Sequence, residues 1–321
     1  MYKTVIHCAA TSPIFMAGAD KNNPEMRAAS IKGCMRFIWR AIQGAADKES
    51  LRSEEGILFG SAYGENENKQ SDMRIRIVKK SIAQGLENMT AHREGSGYSG
   101  VNKGKKVLAQ AIKSGSEFDV IISGFGETPE DENRHINFVR LFVVTCLLYG
   151  FGRRSRKGFG TVQIKTEKGE QTINVLGRCV NTSLGALADN LNLLLLKGKF
   201  AKDMYGVKYE KPQGENVIVA KRGTTGRPGR YPYIEKIEII KIPQAKAGQE
   251  IINRIGLTVH NHSGNDFLGL SRPRFASSLL LSTASAGNEN FCVITQLCCT
   301  KAANEAKLAG FYNELRGIIT K

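Results

Sequence analysis

Lys32, Arg36 and Arg40 recur every four residues and are the first side chains in this chain whose types and spacing suggest chemistry. On a helix that interval places them on adjacent turns, as one cationic stripe beside the apolar positions Ile31, Cys34, Met35, Ile38, Trp39 and Ile42. Such a stripe can clamp consecutive phosphates of a single strand. Ser30, read as the N-cap of a helix running to about Ala46, brings free amide donors to the same end, where anions bind. Gly33 removes a side chain where a backbone could come close. The plain alternative is a solvated helix face, because basic stripes are common.

A second cluster is denser. Gly150-Phe151-Gly152-Arg153-Arg154-Ser155-Arg156-Lys157-Gly158-Phe159-Gly160 packs four cations into five positions between two Gly-Phe-Gly triplets. Arginine forks bind phosphate bidentately, and four adjacent cations are unfavourable together without an anion. The phenylalanines could stack on bases, as in single-stranded RNA recognition, or anchor the loop in a core, the latter being the better account of Phe159. The four cations with their glycine stems lead to the expectation of a tip poorly ordered without its ligand. A third basic run, Lys221-Arg222-Gly223-Thr224-Thr225-Gly226-Arg227-Pro228-Gly229-Arg230, reads as an exposed loop, either solvated or extending a phosphate path.

Catalytic and metal constellations are thin. Gly100-Val101-Asn102-Lys103-Gly104-Lys105-Lys106 is one residue short of a phosphate-binding Walker loop and lacks its Ser/Thr. His260 and His262 have no cysteine or carboxylate cluster nearby in sequence to complete a metal site. A nuclease would need a general acid or base, for which His7, His92 and Asp20 are the candidates. Asp20-Lys21-Asn22-Asn23 is also an ordinary turn sequence. No cofactor and no metal is expected.

The elements that must position these residues follow from periodicity. Tyr2 to Ala10 alternates as a strand, and a Gly/Pro/Asn/Asp-rich loop from Thr11 to Ala29 leads into the basic helix. A strand over Asp72 to Lys79, a polar loop from Leu86 to Gly104, a short helix over Val107 to Ile112 and a strand over Phe118 to Ile122 come next. A nearly all-apolar helix over Asn133 to Leu148 and a strand over Gly160 to Lys165 close the half. The main order is β, α, β, β, α, β, that of a ferredoxin-like unit. A composition change over Glu167 to Asn181 marks a boundary, giving domains 1–170 and 171–321. The second half has a helix over Leu184 to Leu196, a strand over Glu235 to Ile242, a helix over Ala247 to Leu257, a hairpin over Phe275 to Cys298 and a helix over Lys301 to Ile318. The fold class expected is α+β, with two tandem ferredoxin-like, RRM-like domains.

With 321 residues, 41% of them apolar, the chain can bury two real cores. Lys and Arg total 46 against 30 acidic residues, a net +16 that suggests a polyanionic partner. The longest apolar stretch, Phe138 to Tyr149, contains an arginine and is too short for a membrane span, which needs roughly 20 residues. No signal peptide opens the sequence, and the seven cysteines form neither a CxxC nor a disulfide framework. A soluble cytoplasmic protein with no membrane partner is expected.

The ordered set of motifs carries a family resemblance. Met26-Arg27-Ala28-Ala29-Ser30-Ile31-Lys32-Gly33-Cys34-Met35-Arg36-Phe37-Ile38-Trp39-Arg40-Ala41, then Leu58-Phe59-Gly60-Ser61, then Arg154-Ser155-Arg156-Lys157-Gly158-Phe159-Gly160 resemble the RAMP superfamily of CRISPR proteins. The combination is most similar to the first-subunit family of Cmr-type (type III-B) CRISPR–Cas effector complexes. In the second half Arg272-Pro273-Arg274-Phe275-Ala276-Ser277 is similar. Ile38 departs from the family, which often has an aromatic beside the tryptophan. The resemblance implies two RAMP domains and assembly beside other RAMP subunits of a Cmr complex. It also implies a non-catalytic, antiviral-defence role, binding the 3′ portion of a guide RNA and the facing target RNA. Arg27, Ser30, Lys32 and Arg36 match the helix motif, and Arg153 to Lys157 the glycine-rich loop. A RAMP-type endoribonuclease acting on CRISPR or target RNA is the alternative, with Asp20 its weak catalytic candidate.

Overall fold

The computed structural model describes residues 1–43, 48–61, 70–90, 107–165, 184–195, 207–221, 232–243, 248–269, 276–286, 289–298 and 305–320. Strand β1 (Tyr2–Ala10) turns Ile6, Cys8 and Ala10 into the core, as its alternation requires. Helix α1 (Ala28–Gln43) buries Ile31, Met35, Ile38, Trp39 and Ile42 along one face. It starts ahead of the expected Ser30 cap, because the Arg27 carbonyl already accepts from the amides of Ser30 (3.0 Å) and Ile31 (3.1 Å). Helix α2 (Lys48–Phe59), not foreseen, precedes β2 (Met73–Ser81).

Strands β3 (Gln84–Asn88) and β4 (Leu108–Ile112) form an antiparallel hairpin, with Leu86 opposite Gln110. This corrects two expectations: residues 108–112 are a strand and no helix, and residues 86–88 are paired rather than looped. The remainder of the expected loop, from residue 91, lies outside the described residues. The cause is tertiary, since Ile112 also exchanges backbone hydrogen bonds of 2.8 and 3.0 Å with Ile14. Strand β5 (Glu117–Gly124), helix α3 (Pro129–Leu148) and strand β6 (Val162–Lys165) complete the half. Helix α3 begins four residues earlier than expected. A reciprocal capping box sets that start: the Asp131 amide donates to Thr128 Oγ1 (3.2 Å) and the Thr128 amide to Asp131 Oδ2 (3.1 Å). Strands β2, β5, β1 and β6 form an antiparallel sheet in the order β2-β5-β1-β6.

The second half comprises α4 (Leu184–Leu194), β7 (Lys208–Glu210), β8 (Val217–Lys221), β9 (Ile234–Ile242), α5 (Gly248–Asn261), β10 (Leu279–Ala286), β11 (Glu289–Leu297) and α6 (Glu305–Thr320). Strands β7 and β8 were not foreseen. They extend an antiparallel sheet of order β10-β11-β9-β8-β7. Here β8, which precedes β9 in the chain, takes the place beside it that β6 takes beside β1.

One core runs through both halves. From Phe138 on, helix α3 is buried nearly all round: Phe138, Leu141, Phe142, Val143 and Val144 share a cluster with Ile6 and Val120 of the first sheet and Leu191, Ile237, Leu280 and Val293 of the second half. Each such side chain contributes about 1.5–3 kcal/mol on burial. Polar contacts join the same surfaces, with Tyr209 donating to the Ile42 carbonyl (3.0 Å) and Arg140 to Asn190 (3.0 Å).

Candidate nucleic-acid interface

The glycine-rich loop is closed by its own backbone. Phe151 donates to the Gly160 carbonyl (2.8 Å), and Gly160 has φ +72°. A Cβ there would sit 1.9 Å from the Phe151 oxygen, and one on Gly150 would sit 2.0 Å from the Phe159 oxygen. Both flanking phenylalanines point inward. Phe151 stacks on Phe142, and Phe159 meets Phe15 edge-on at 5.4 Å with 2% of its surface exposed. Neither presents a ring to a base, which corrects Phe159 as a contact residue. Ser155 is likewise buried.

The loop's far side is stitched to the second half. Gly158 donates to the Leu281 carbonyl (3.0 Å), and Leu281 donates to that of Arg156 (3.2 Å). The Arg156 guanidinium donates to the Ser277 carbonyl, and Lys157 Nζ to the Leu268 carbonyl (3.0 Å). Burial first, then Arg154 and Arg156 nearby, push the Lys157 ammonium down from 10.5 to about 8. The four cations therefore divide. Arg156 and Lys157 clasp the two halves, while Arg153 and Arg154 are exposed, Arg154 in the left-handed region at φ 61°.

This loop lies against α1. The Gly152 backbone lies beside the Cys34 sulfur, whose pKa burial pushes up to about 11. The Arg156 guanidinium sits 5.0 Å from the centre of the Phe37 ring. Gly33 is exposed, and a Cβ there would meet nothing within 4 Å, so the helix offers open backbone beside the arginines. Two motifs more than a hundred residues apart thus meet on one surface.

The predicted stripe is present but partly occupied. Glu55 of α2, only 2% exposed, binds both Arg36 and Arg40, each with about 40% of its side chain exposed. No local sequence signal pointed to Glu55, because the pairing needs α2 to fold back on α1. Lys32 donates to Ser71 Oγ (2.6 Å) and the Met73 carbonyl (2.9 Å), tying α1 to β2. Burial first, then Arg36, pushes Lys32 down to about 8. Arg27 is exposed and pairs with Glu25 at 3.2 Å, and Ser30 is half-buried.

The remaining candidates lie elsewhere. Lys221 ends a strand rather than opening a free loop, and pairs with Glu210. Arg222, Arg227, Arg230, Arg272, Arg274 and His92 lie outside the described residues. Asp20 is an exposed turn residue whose carboxylate accepts the Asn22 amide (2.9 Å). His7 Nδ1 hydrogen-bonds Asp119 Oδ1 at 2.8 Å, and His262 contacts Glu314 at 2.8 Å. Among the described residues no group of three or more His, Cys, Asp or Glu could hold a metal, and no helix is long and apolar enough to cross a membrane.

Residues 7–163 match the family model of the RAMP superfamily. The CRISPR system Cmr subunit Cmr1-2 of Pyrococcus furiosus is 25% identical over 189 residues, 51% of this chain and 96% of that protein. Cmr1-1 of the same organism is 27% identical over 161 residues, 48% of this chain and 45% of that protein. The crystal structure of apo Cmr1 from Pyrococcus furiosus superposes with a TM-score of 0.59 at 16% identity, covering 99% of this chain and 97% of that one. A chain in the cryo-EM structure of the type III-B Cmr-beta complex bound to cognate target RNA gives 0.57 at 13% identity, covering 98% and 99%. These likenesses show a shared mixed α/β fold over nearly the whole chain.

Proposed function

Starting from residues 7–163 as a RAMP-superfamily domain, we propose that the chain is a non-catalytic, RNA-binding subunit of a type III-B CRISPR effector ribonucleoprotein. It contacts the 3′ portion of the guide RNA, the facing target RNA, or both, beside other RAMP subunits, in cytoplasmic antiviral defence. In this reading both halves are ferredoxin-like units, the second permuted so that β8 stands in for the last strand. The observation that carries the proposal is the seating of the glycine-rich loop on α1, with Arg156 over Phe37 and with Arg153, Arg154 and Gly33 all exposed. Phosphates need donors on an accessible, smooth track, and a glycine beside arginine forks supplies one. The net +16 supplies long-range attraction. A non-catalytic role is favoured because Asp20 is engaged in its own turn and His7 is held between Asp119 and Glu117.

The test is a titration of labelled single-stranded RNA at several salt concentrations. Log affinity should fall linearly with log salt, by about 0.7 per phosphate neutralised. A flat response rejects the proposal. Gel analysis of the same mixtures, with and without divalent metal, should show intact RNA. Cleavage lost in Asp20→Ala would instead establish the endoribonuclease.

A further inference from the structure

Strand β2 stands at the end of the first sheet, paired with β5 on one side only. In an antiparallel pair, every second residue of an edge strand turns both its amide and its carbonyl away from the neighbouring strand. Met73 identifies that set. Its amide donates to Ser71 Oγ (3.1 Å) and its carbonyl accepts from Lys32 Nζ (2.9 Å), and neither partner belongs to β5. By the same alternation Ile75 and Ile77 turn outward, in unbroken register as far as Lys79. Among the described residues neither has a backbone partner on that side. Their side chains are half-buried on the core face, whereas Arg74 and Arg76 are exposed on the other. Across the sheet from those arginines lie Ser123 and Ile121 of β5, then Lys3 and Val5 of β1, with no carboxylate. The Arg74 guanidinium rests 4.6 Å from the centre of the Phe125 ring. Charges on an edge commonly serve only to keep other strands away. Here Arg74 and Arg76 share one face, the outward residues between them and Lys79 are isoleucines, and the irregularity that would blunt the edge comes only after Lys79.

We propose that this edge accepts an extended segment of a partner protein, whose residues alternate apolar with Asp or Glu. The apolar ones continue the row of Ile75 and Ile77, and the acidic ones meet Arg74 and Arg76. Carbonyls interleaved with amides match a peptide backbone and repel phosphates, so the occupant is protein rather than RNA. The proposal gives a surface to the assembly in the reading above, and RNA titrated against the unmodified chain tests RNA binding separately.

The test uses the full chain and a short labelled peptide alternating valine and glutamate, with a valine–lysine peptide as control. Hydrogen exchange should show the Ile75 and Ile77 amides open in the free chain and about tenfold or more slower with the valine–glutamate peptide at saturation. The valine–lysine peptide should bind about tenfold more weakly, since like charges oppose each other across the pair. Arg76→Glu, a change at an exposed position, should abolish or reverse that preference. Ile77→Pro removes an outward amide and no ladder bond to β5, and should weaken the valine–glutamate peptide as well. Amides already slow in the free chain mean that the edge is covered by the chain itself, which overturns the proposal. Binding of neither peptide, or a preference unchanged in Arg76→Glu, overturns it too. Single-stranded RNA slowing the same amides where the peptides do not would give the edge to RNA and overturn the peptide assignment.

Discussion

At the scale of single residues, the loop's cations divide into two pairs that mutation should separate. Arg153→Ala with Arg154→Asn, asparagine tolerating the left-handed backbone, should lower the salt slope by about 0.7 per lost phosphate contact. Each change should cost under about 0.5 kcal/mol in stability. Arg156→Ala with Lys157→Ala should do the opposite, leaving the Ser277 and Leu268 carbonyls unpaired at about 1–3 kcal/mol each. Melting curves beside RNA titrations check both, and a double variant at Arg153 and Arg154 that melts early yet binds normally sinks the assignment. Lys32 adds a pH signature. Its folded-state pKa is lowered from 10.5 to about 8, and a bound phosphate favours the charged form. Binding therefore takes up a proton, and affinity should fall as pH rises through about 8. Stability should move the other way between about 8 and 10.5, because there the unfolded chain holds the protons that buried Lys32 and Lys157 have released. Affinity flat to pH 9.5 would show that Lys32 touches no phosphate.

At the scale of elements, α2 supplies a counter-charge to α1. Its Glu55 occupies Arg36 and Arg40, so two of the three stripe cations are partly neutralised. Glu55→Ala should release them, steepening the salt slope by up to about 0.7 for each arginine that gains a phosphate. The stability loss should stay near 1 kcal/mol or less, since both guanidinium groups reach solvent. An unchanged slope in that variant would mean that the stripe is structural. The paired Gly-Phe-Gly triplets make a second elemental device. Gly160→Ala would combine a positive φ with a backbone clash, and should cost about 2 kcal/mol or more. Thermal melting of that single variant measures it.

At the scale of the whole molecule, the shared core predicts one cooperative unit. Helix α3 packs against both sheets, and the loop after it clasps β10. Calorimetry should therefore show a single unfolding transition. A fragment ending at residue 165 should bind a hydrophobic dye and lack near-UV dichroism, since α3 would lose Leu191, Ile237, Leu280 and Val293 from its outer face. Two well-separated transitions would contradict coupling through the shared cluster around α3.

What the amino-acid sequence determined alone was whatever depends on near neighbours. The alternation of Tyr2–Ala10, the helical spacing of Ile31, Met35, Ile38 and Ile42, and the cation clusters at 32–40 and 153–157 were legible because their signals span a few residues. Helix α2 carries a readable period in Leu51, Leu58 and Phe59. The hairpin of β3 and β4 was not legible, since Leu108–Ile112 became a strand only by pairing with Gln84–Asn88 and Ile14. Which cations face solvent was decided by tertiary structure. Glu55 reaches Arg36 and Arg40 only after α2 folds back, and Ser277 and Leu268 meet Arg156 and Lys157 from more than a hundred residues away. A buried carbonyl or carboxylate must find a donor wherever the fold brings one, and that choice has no period along the chain.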